Sequence, residues 1–294
     1  MTITLRRYGF ALICAVLALS GAHAQNIAFG RGDLIVSLES GPVQWRLPDG
    51  TLNRVLVGPQ FGTSEGVAFD AAGNLYVTRW CLFACIGLAN TVEKFNNLGV
   101  AVGTFGSGYD CSPHAMVFDR WGNAYVGQAG CTGSILKFDA AGQATGTYFV
   151  APDSQGAFWI DLAADGCTMF YTSYGPNVKR FDVCANRQLS DFNAAPLPGG
   201  QTQDLRVLPD GGVLVSSGQV IARLNPSGHL VQTYEIPGEA ALWSGLDLAG
   251  DGTFWAGNYR SSNVYRFDLA TGAVRAGFNA GSPGDTVVGI RVRK

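Results

Sequence analysis

Three histidines occur in this 294-residue chain, and one of them stands where proton chemistry is feasible. His23 falls in an N-terminal segment that reads as removable. His229 ends Asn225-Pro-Ser-Gly-His229, a turn sequence. His114, in Pro113-His114-Ala115-Met116, is left, so a multi-histidine metal site is excluded. Its natural partner is Glu65, in Ser64-Glu65-Gly66. An imidazole beside a carboxylate does general acid–base work, because histidine titrates near neutrality and the carboxylate orients it. The same two residues, simply hydrogen-bonded, would plug a channel and do nothing more. Gln203 and Ser244 hold equivalent places in later repeats and extend this polar set. Trp80 and Phe83 add apolar surface suited to a ligand or partner, or to capping the same opening.

Cysteine offers a second chemistry. Cys14 would be lost with the N-terminal segment, leaving Cys81, Cys85, Cys111, Cys131, Cys167 and Cys184. An even number in an exported chain predicts disulfides, and six thiols allow fifteen connectivities. Cys167 and Cys184 fall in successive turns of one repeat and are expected to pair. Cys111 and Cys131 bracket the segment holding His114 and form the next expected pair. Cys81 and Cys85 then close a small loop. The alternative is a zinc site made of four thiolates, or three with His114.

A third set is Asp161, Arg206, Asp247 and Arg291, one per repeat and alternating in sign. Opposite charges meeting between repeats would latch them, since buried charges must be paired. A charged channel lining is the other reading.

The elements that position these residues follow from periodicity. Phe95, Phe138, Phe181, Leu224 and Phe267 recur every 43 residues, each preceded by a base (Lys94, Lys137, Arg180, Arg223, Arg266). Arg46-Leu47 reads as a sixth copy, 48 residues before Phe95, with the extra length in the loop 79–90. A fixed period of this size means one supersecondary unit repeated in series. Each unit reads as four short strands. In the second these are Gly66–Phe69, Asn74–Val77, Thr91–Phe95 and Val102–Phe105; in the third, Ala115–Phe118, Asn123–Val126, Ser134–Phe138 and Ala144–Phe149. Units four to six run Ile160–Phe192, Leu205–Ile236 and Leu246–Phe278. The ends complement each other. Gly32–Val36, Pro42–Leu47 and Leu52–Val57 lack an innermost strand, and Val287–Val292 supplies it. The predicted fold is an all-β, six-bladed propeller of four-stranded antiparallel blades, closed by the C-terminal strand so that no sheet edge stays open. The basic residue in every blade is expected to serve the scaffold, its stem lying over neighbouring apolar surface. Aligned by blade, Glu65, His114, Phe158, Gln203, Ser244 and Val288 ring the top of the channel. One step down come Ala68, Val117, Asp161, Arg206, Asp247 and Arg291.

Arg6 and Arg7, an apolar run from Phe10 to Leu19 and Ala22-His23-Ala24 form a signal-peptide pattern. Residues 1–24 are therefore expected to be removed, leaving a single domain over 25–294 and a periplasmic or extracellular location. Without Arg6 and Arg7 the net charge is about −4, from 18 basic and 22 acidic residues, so no nucleic-acid patch is implied. Only 14% of residues are charged while 40 are glycine, which suits a β-rich exported protein. No segment of the mature chain has the length and apolarity of a membrane-spanning helix.

The run Gly66-Val-Ala-Phe-Asp-Ala-Ala-Gly-Asn-Leu-Tyr-Val77 resembles NHL-type propeller repeats. It also resembles the gluconolactonase (senescence-marker protein) superfamily and, more weakly, the streptogramin lyases, over residues 32–292. Gluconolactonase-like enzymes, as that resemblance implies, hold a divalent cation such as calcium on a Glu-Gly-Pro glutamate with Asn and Asp from other blades. Ser64-Glu65-Gly66 matches the first part only; His114, Gln203 and Ser244 stand where Asn and Asp are wanted. The lyases imply a histidine in Pro-His-x-Ile and a glutamate on the next strand. Pro113-His114-Ala115-Met116 matches the former, while Gln128 stands in place of the latter and cannot act as a carboxylate base. The expected function is thus a non-catalytic binding or interaction module, monomeric and without cofactor, using the top face around Glu65, His114, Trp80 and Phe83 for a small molecule or protein. The alternative is a lactonase- or esterase-type hydrolase using Glu65 and His114, with Glu65 as the metal ligand if a cation is involved.

Overall fold

The computed structural model of the protein describes residues 27–57, 62–80, 90–281 and 286–294. The segment expected to be a signal peptide, Phe83, Cys81 and Cys85 lie outside these residues. Alternating β-branched and aromatic residues build short strands, and Asp-x-x-Gly-Asn turns join them. In two of these turns the aspartate accepts the backbone N–H four residues on, Asn74 to Asp70 at 2.8 Å and Asn123 to Asp119 at 2.9 Å. The glycine before each asparagine sits at positive φ, 83° at Gly73 and 85° at Gly122, where other residues are strained.

Six antiparallel sheets of four strands result. Blade one takes its innermost strand, Val287–Val292, from the C-terminus and its others, Leu34–Leu38, Val43–Arg46 and Leu52–Val57, from the N-terminus. Leu34 pairs with Val292 and Ser37 with Gly289. The innermost strands of blades two to six are Thr63–Phe69, Pro113–Phe118, Trp159–Leu162, Thr202–Val207 and Trp243–Leu248. Each packs on the next, and Val287–Val292 packs on both the sixth and the second, so the ring closes. No helix among the described residues is long and apolar enough to cross a membrane.

The core lies between blades. Phe95, Phe138, Phe181, Leu224 and Phe267 are all buried, each in a different apolar cluster. Four of their five basic neighbours lie over rings of the adjacent strand or blade edge, Lys94 over Tyr76, Lys137 over Tyr125, Arg180 over Phe192 and Arg266 over Trp255, at 5.2 to 5.7 Å, while Arg223 donates to the Leu269 carbonyl at 3.2 Å. Blade one departs from the expected register. Arg46 pairs with Leu34 as Phe95 pairs with Leu75, so Arg46, not Leu47, fills the aromatic position. Leu47 is exposed, and the Arg46 guanidinium stacks 4.1 Å over Phe278 of blade six. The shift of one residue follows from Trp45, whose ring is buried with Phe29 and whose Nε1 donates to Asp33 at 2.7 Å.

The candidate ligand site at the channel mouth

Five of the six innermost strands break their ladder at the same place, the exception being blade four, where Trp159–Leu162 pairs without a shift. Pairing skips Glu65–Gly66 in blade two, His114 in blade three, Gln203–Asp204 in blade five and Ser244–Gly245 in blade six, and slips at Val288 in blade one. A bulge re-aims a side chain, here around the axis. A second device fixes the bulges against the next blade. Hydroxyls at one position of the second strand donate to the bulge carbonyl of the neighbour: Ser37 to Glu65, Thr78 to His114 (2.8 Å), Thr172 to Gln203 and Ser216 to Ser244 (3.2 Å). Where the neighbour crowds in, the position is glycine. A Cβ on Gly127 would lie 2.6 Å from the Ala157 carbonyl, and one on Gly257 would lie 2.4 Å from Val287.

The mouth holds a cavity of about 250 Å³. Glu65, His114, Phe158, Gln203 and Val288 of the expected ring line it. Ser244 does not. Its hydroxyl turns into the neighbouring blade and donates to the Val287 carbonyl at 2.6 Å. Trp80 lines the cavity as well. Apart from Trp80, sequence reasoning missed a second ring, made by one aligned position at the end of the second strand: Glu39, Trp80, Tyr174 and Tyr259 in blades one, two, four and six. The signal was available, because these four occupy one aligned position. Trp159, Gln155 and Leu242 complete the wall.

Glu65 and His114 meet here. His114 Nε2 lies 3.3 Å from Glu65 Oε2, with both side chains almost wholly buried. Thr63 donates to the other carboxylate oxygen. The imidazole stacks on Phe158, with centroids 3.8 Å apart, and meets Trp159 edge-on at 4.9 Å. Burial pushes Glu65 up to about 7; the Thr63 hydroxyl opposes this and the Glu39 charge adds to it. Burial drives His114 down to about 3 against an opposing backbone interaction at Phe158. Near neutral pH the imidazole is therefore uncharged, and the contact is a hydrogen bond rather than an ion pair. His114 Nδ1 is buried without a partner. No described residue hydrogen-bonds the Gln203 side chain.

A calcium site does not fit this donor set. Hard cations take six to eight oxygens. Among the described wall residues the carboxylates are Glu65 and, in the outer ring, Glu39, whose Oε2 already accepts from Thr286, and Ser244 faces away. Gln128, aligned with the lyase glutamate, is also engaged elsewhere. It accepts from the Asp110 N–H and donates to Ser134, both at 3.0 Å.

Two disulfides close on the described residues. Cys111–Cys131 on the top face spans 5.8 Å between Cα atoms, and Cys167–Cys184 on the bottom spans 5.2 Å. Both suit an oxidising compartment. Asp110 stands beside the first pair, but sulfurs joined to each other are not thiolate ligands, which removes Cys111 and Cys131 from the zinc reading.

The charge latch is real in part and is centred differently. Arg206, wholly buried, binds Asp247 through Nε at 2.9 Å and Asp204 through Nη1 at 2.7 Å. Asp204 was not foreseen; it occupies the bulge position that is glycine in three other blades. Arg291 and Lys294 approach Asp247 at 3.8 and 3.7 Å. Asp161 is not ion-paired within 4.0 Å; it accepts the Val207 N–H at 2.8 Å, which still ties blade four to blade five. Burial alone would raise Asp247, but Lys294, Arg291, Arg206 and the Val292 N–H hold it below the usual carboxylate range. Asp204 is buried as deeply, and burial outweighs its share of Arg206, so it sits well above that range.

No protein-family model matches the chain, and no curated protein matches it in sequence. Solved structures do match in shape. A propeller from a nidogen/laminin complex superposes with TM-score 0.72 at 13% identity, covering 89% of this chain and 98% of that one. A Bacteroides caccae protein gives 0.71 at 16% identity, covering 90% and 100%. Virginiamycin B lyase from Staphylococcus aureus gives 0.57 at 15% identity, covering 76% and 71%. These likenesses establish the six-bladed fold.

Proposed function

We propose that this protein is an exported binding module that takes a small molecule into the mouth of its propeller channel. The supporting observation is the state of the Glu65–His114 pair. Each satisfies the other at 3.3 Å inside an aromatic wall, while the buried Nδ1 lacks a partner beside a cavity of about 250 Å³. A concave, mostly apolar pocket with a few convergent polar groups is what small-molecule recognition requires. Export is supported by the N-terminal pattern and by the two disulfides. The NHL and gluconolactonase resemblance belongs to the same reading at the level of the fold. The test is a fragment screen read by the fluorescence of Trp80 and Trp159, repeated on Leu242→Trp, which fills the cavity. Binders lost in the filled variant support the proposal; binders indifferent to it reject this site.

One observation favours the hydrolase alternative. A carboxyl group held at about 7 is matched to proton transfer at neutral pH. A panel of lactones and esters, hydrolysed by the wild type and not by Glu65→Gln, would replace the binding role with a catalytic one.

A further inference from the structure

We propose that the channel mouth is selective for a protonated amine carried on a compact apolar body. This rests on the binding role above and names its ligand class. The charged groups of the wall are carboxylates, Glu39 and Glu65, with no lysine or arginine among its described residues. The chain segments outside the described residues between blades add none: 58–61, 81–89 and 282–285 contain no lysine, arginine or histidine and one carboxylate, Asp285. An anion in this mouth would be repelled. A neutral polar ligand would forgo the carboxylates.

The aromatic wall points the same way. Five rings surround the cavity, and the negative face of a ring attracts a cation, more strongly where water is excluded. Glu39 is fixed for this role, since its Oε2 accepts from the Thr286 hydroxyl at 2.7 Å. The ligand body then lies against Phe158, Trp159 and Val288.

Three probes of one shape separate the possibilities: 2-phenylethylamine, 2-phenylethanol and phenylacetate, titrated calorimetrically at pH 8. At that pH the amine is protonated and Glu65 is mostly ionised, with Glu39, His114 and Tyr259 the other titratable groups facing it. The amine should bind at least tenfold more tightly than the alcohol, and phenylacetate more weakly than the alcohol. Glu65→Gln should remove most of the amine's advantage. Glu39→Gln should do so independently, should the first variant prove poorly folded. Equal binding of amine and alcohol, or preference for phenylacetate, overturns the proposal and leaves the binding role standing. Failure of all three probes to bind overturns the amine proposal, and only an empty fragment screen as well overturns the binding role.

Discussion

Replacing Arg206 with methionine should unfold more of this protein than any other single change on its bottom side. The methionine keeps most of the stem and removes the charge. Asp204 and Asp247 are then left wholly buried without their shared partner. Breaking a buried pair from one side costs about 3–5 kcal/mol. Asp247 retains Arg291 and Lys294 within 4.0 Å, while Asp204 keeps the Leu246 N–H at 2.7 Å and the charge of Arg291 beyond ion-pair distance, so the penalty concentrates on Asp204. For a domain of this size each kcal/mol moves the midpoint by roughly 2–4 °C, which gives a fall of roughly 6–20 °C. The deficit should depend on pH. Asp204 already titrates above its unfolded value, and losing Arg206 raises it further. The unfolded chain then binds fewer protons than the folded one, so stability falls as pH rises. Thermal and guanidinium melts of wild type and variant at pH 5 and pH 7.5 should show the larger gap at pH 7.5. Adding Asp204→Asn should recover more than half of it. A loss below about 1 kcal/mol, or a gap that widens at pH 5, would refute a latch centred on Arg206 and Asp204.

Three further outcomes are expected. Glu65, raised from its ordinary value to about 7, binds a proton in the folded state that it has lost in the unfolded one. Its own contribution to stability should therefore fall by about 3 kcal/mol between pH 4.5 and 7, while His114, buried neutral, contributes with the opposite sign over part of that window; the guanidinium midpoint of Glu65→Gln should accordingly gain on that of wild type as pH rises from 4.5 to 7. Gly66→Ala would place a Cβ 2.3 Å from the His114 carbonyl, forcing blades two and three apart. A loss of roughly 1–3 kcal/mol is expected by circular dichroism melting, against no change if the bulge is loosely packed. Cys167→Ser with Cys184→Ser opens a loop of 17 residues and should cost about 3 kcal/mol, while wild type should yield no free thiol at either position by mass spectrometry.

Several of these features were legible in the residues alone. The 43-residue spacing of buried aromatics, the Asp-x-x-Gly-Asn turns and the complementary ends gave blade number and closure, because strand alternation and turn chemistry act over a few residues. The Cys111–Cys131 and Cys167–Cys184 pairs followed from blade alignment. The register of Arg46 did not, since its stacking on Phe278 joins positions far apart in the chain. The protonation of Glu65 was equally hidden. It depends on burial among Phe158, Trp159 and Trp80, which no local pattern specifies.

By itself the sequence determined which residues ring the mouth, for a repeat carries each position to the same height in every blade. Only the tertiary structure decided which of them face the cavity. Ser244 shares its height with Glu65, yet its hydroxyl is satisfied by the Val287 carbonyl of the next blade, while His114 Nδ1 is left unpartnered. Which polar atom finds a partner depends on the neighbouring blade's backbone, and that neighbour exists only once the ring has closed.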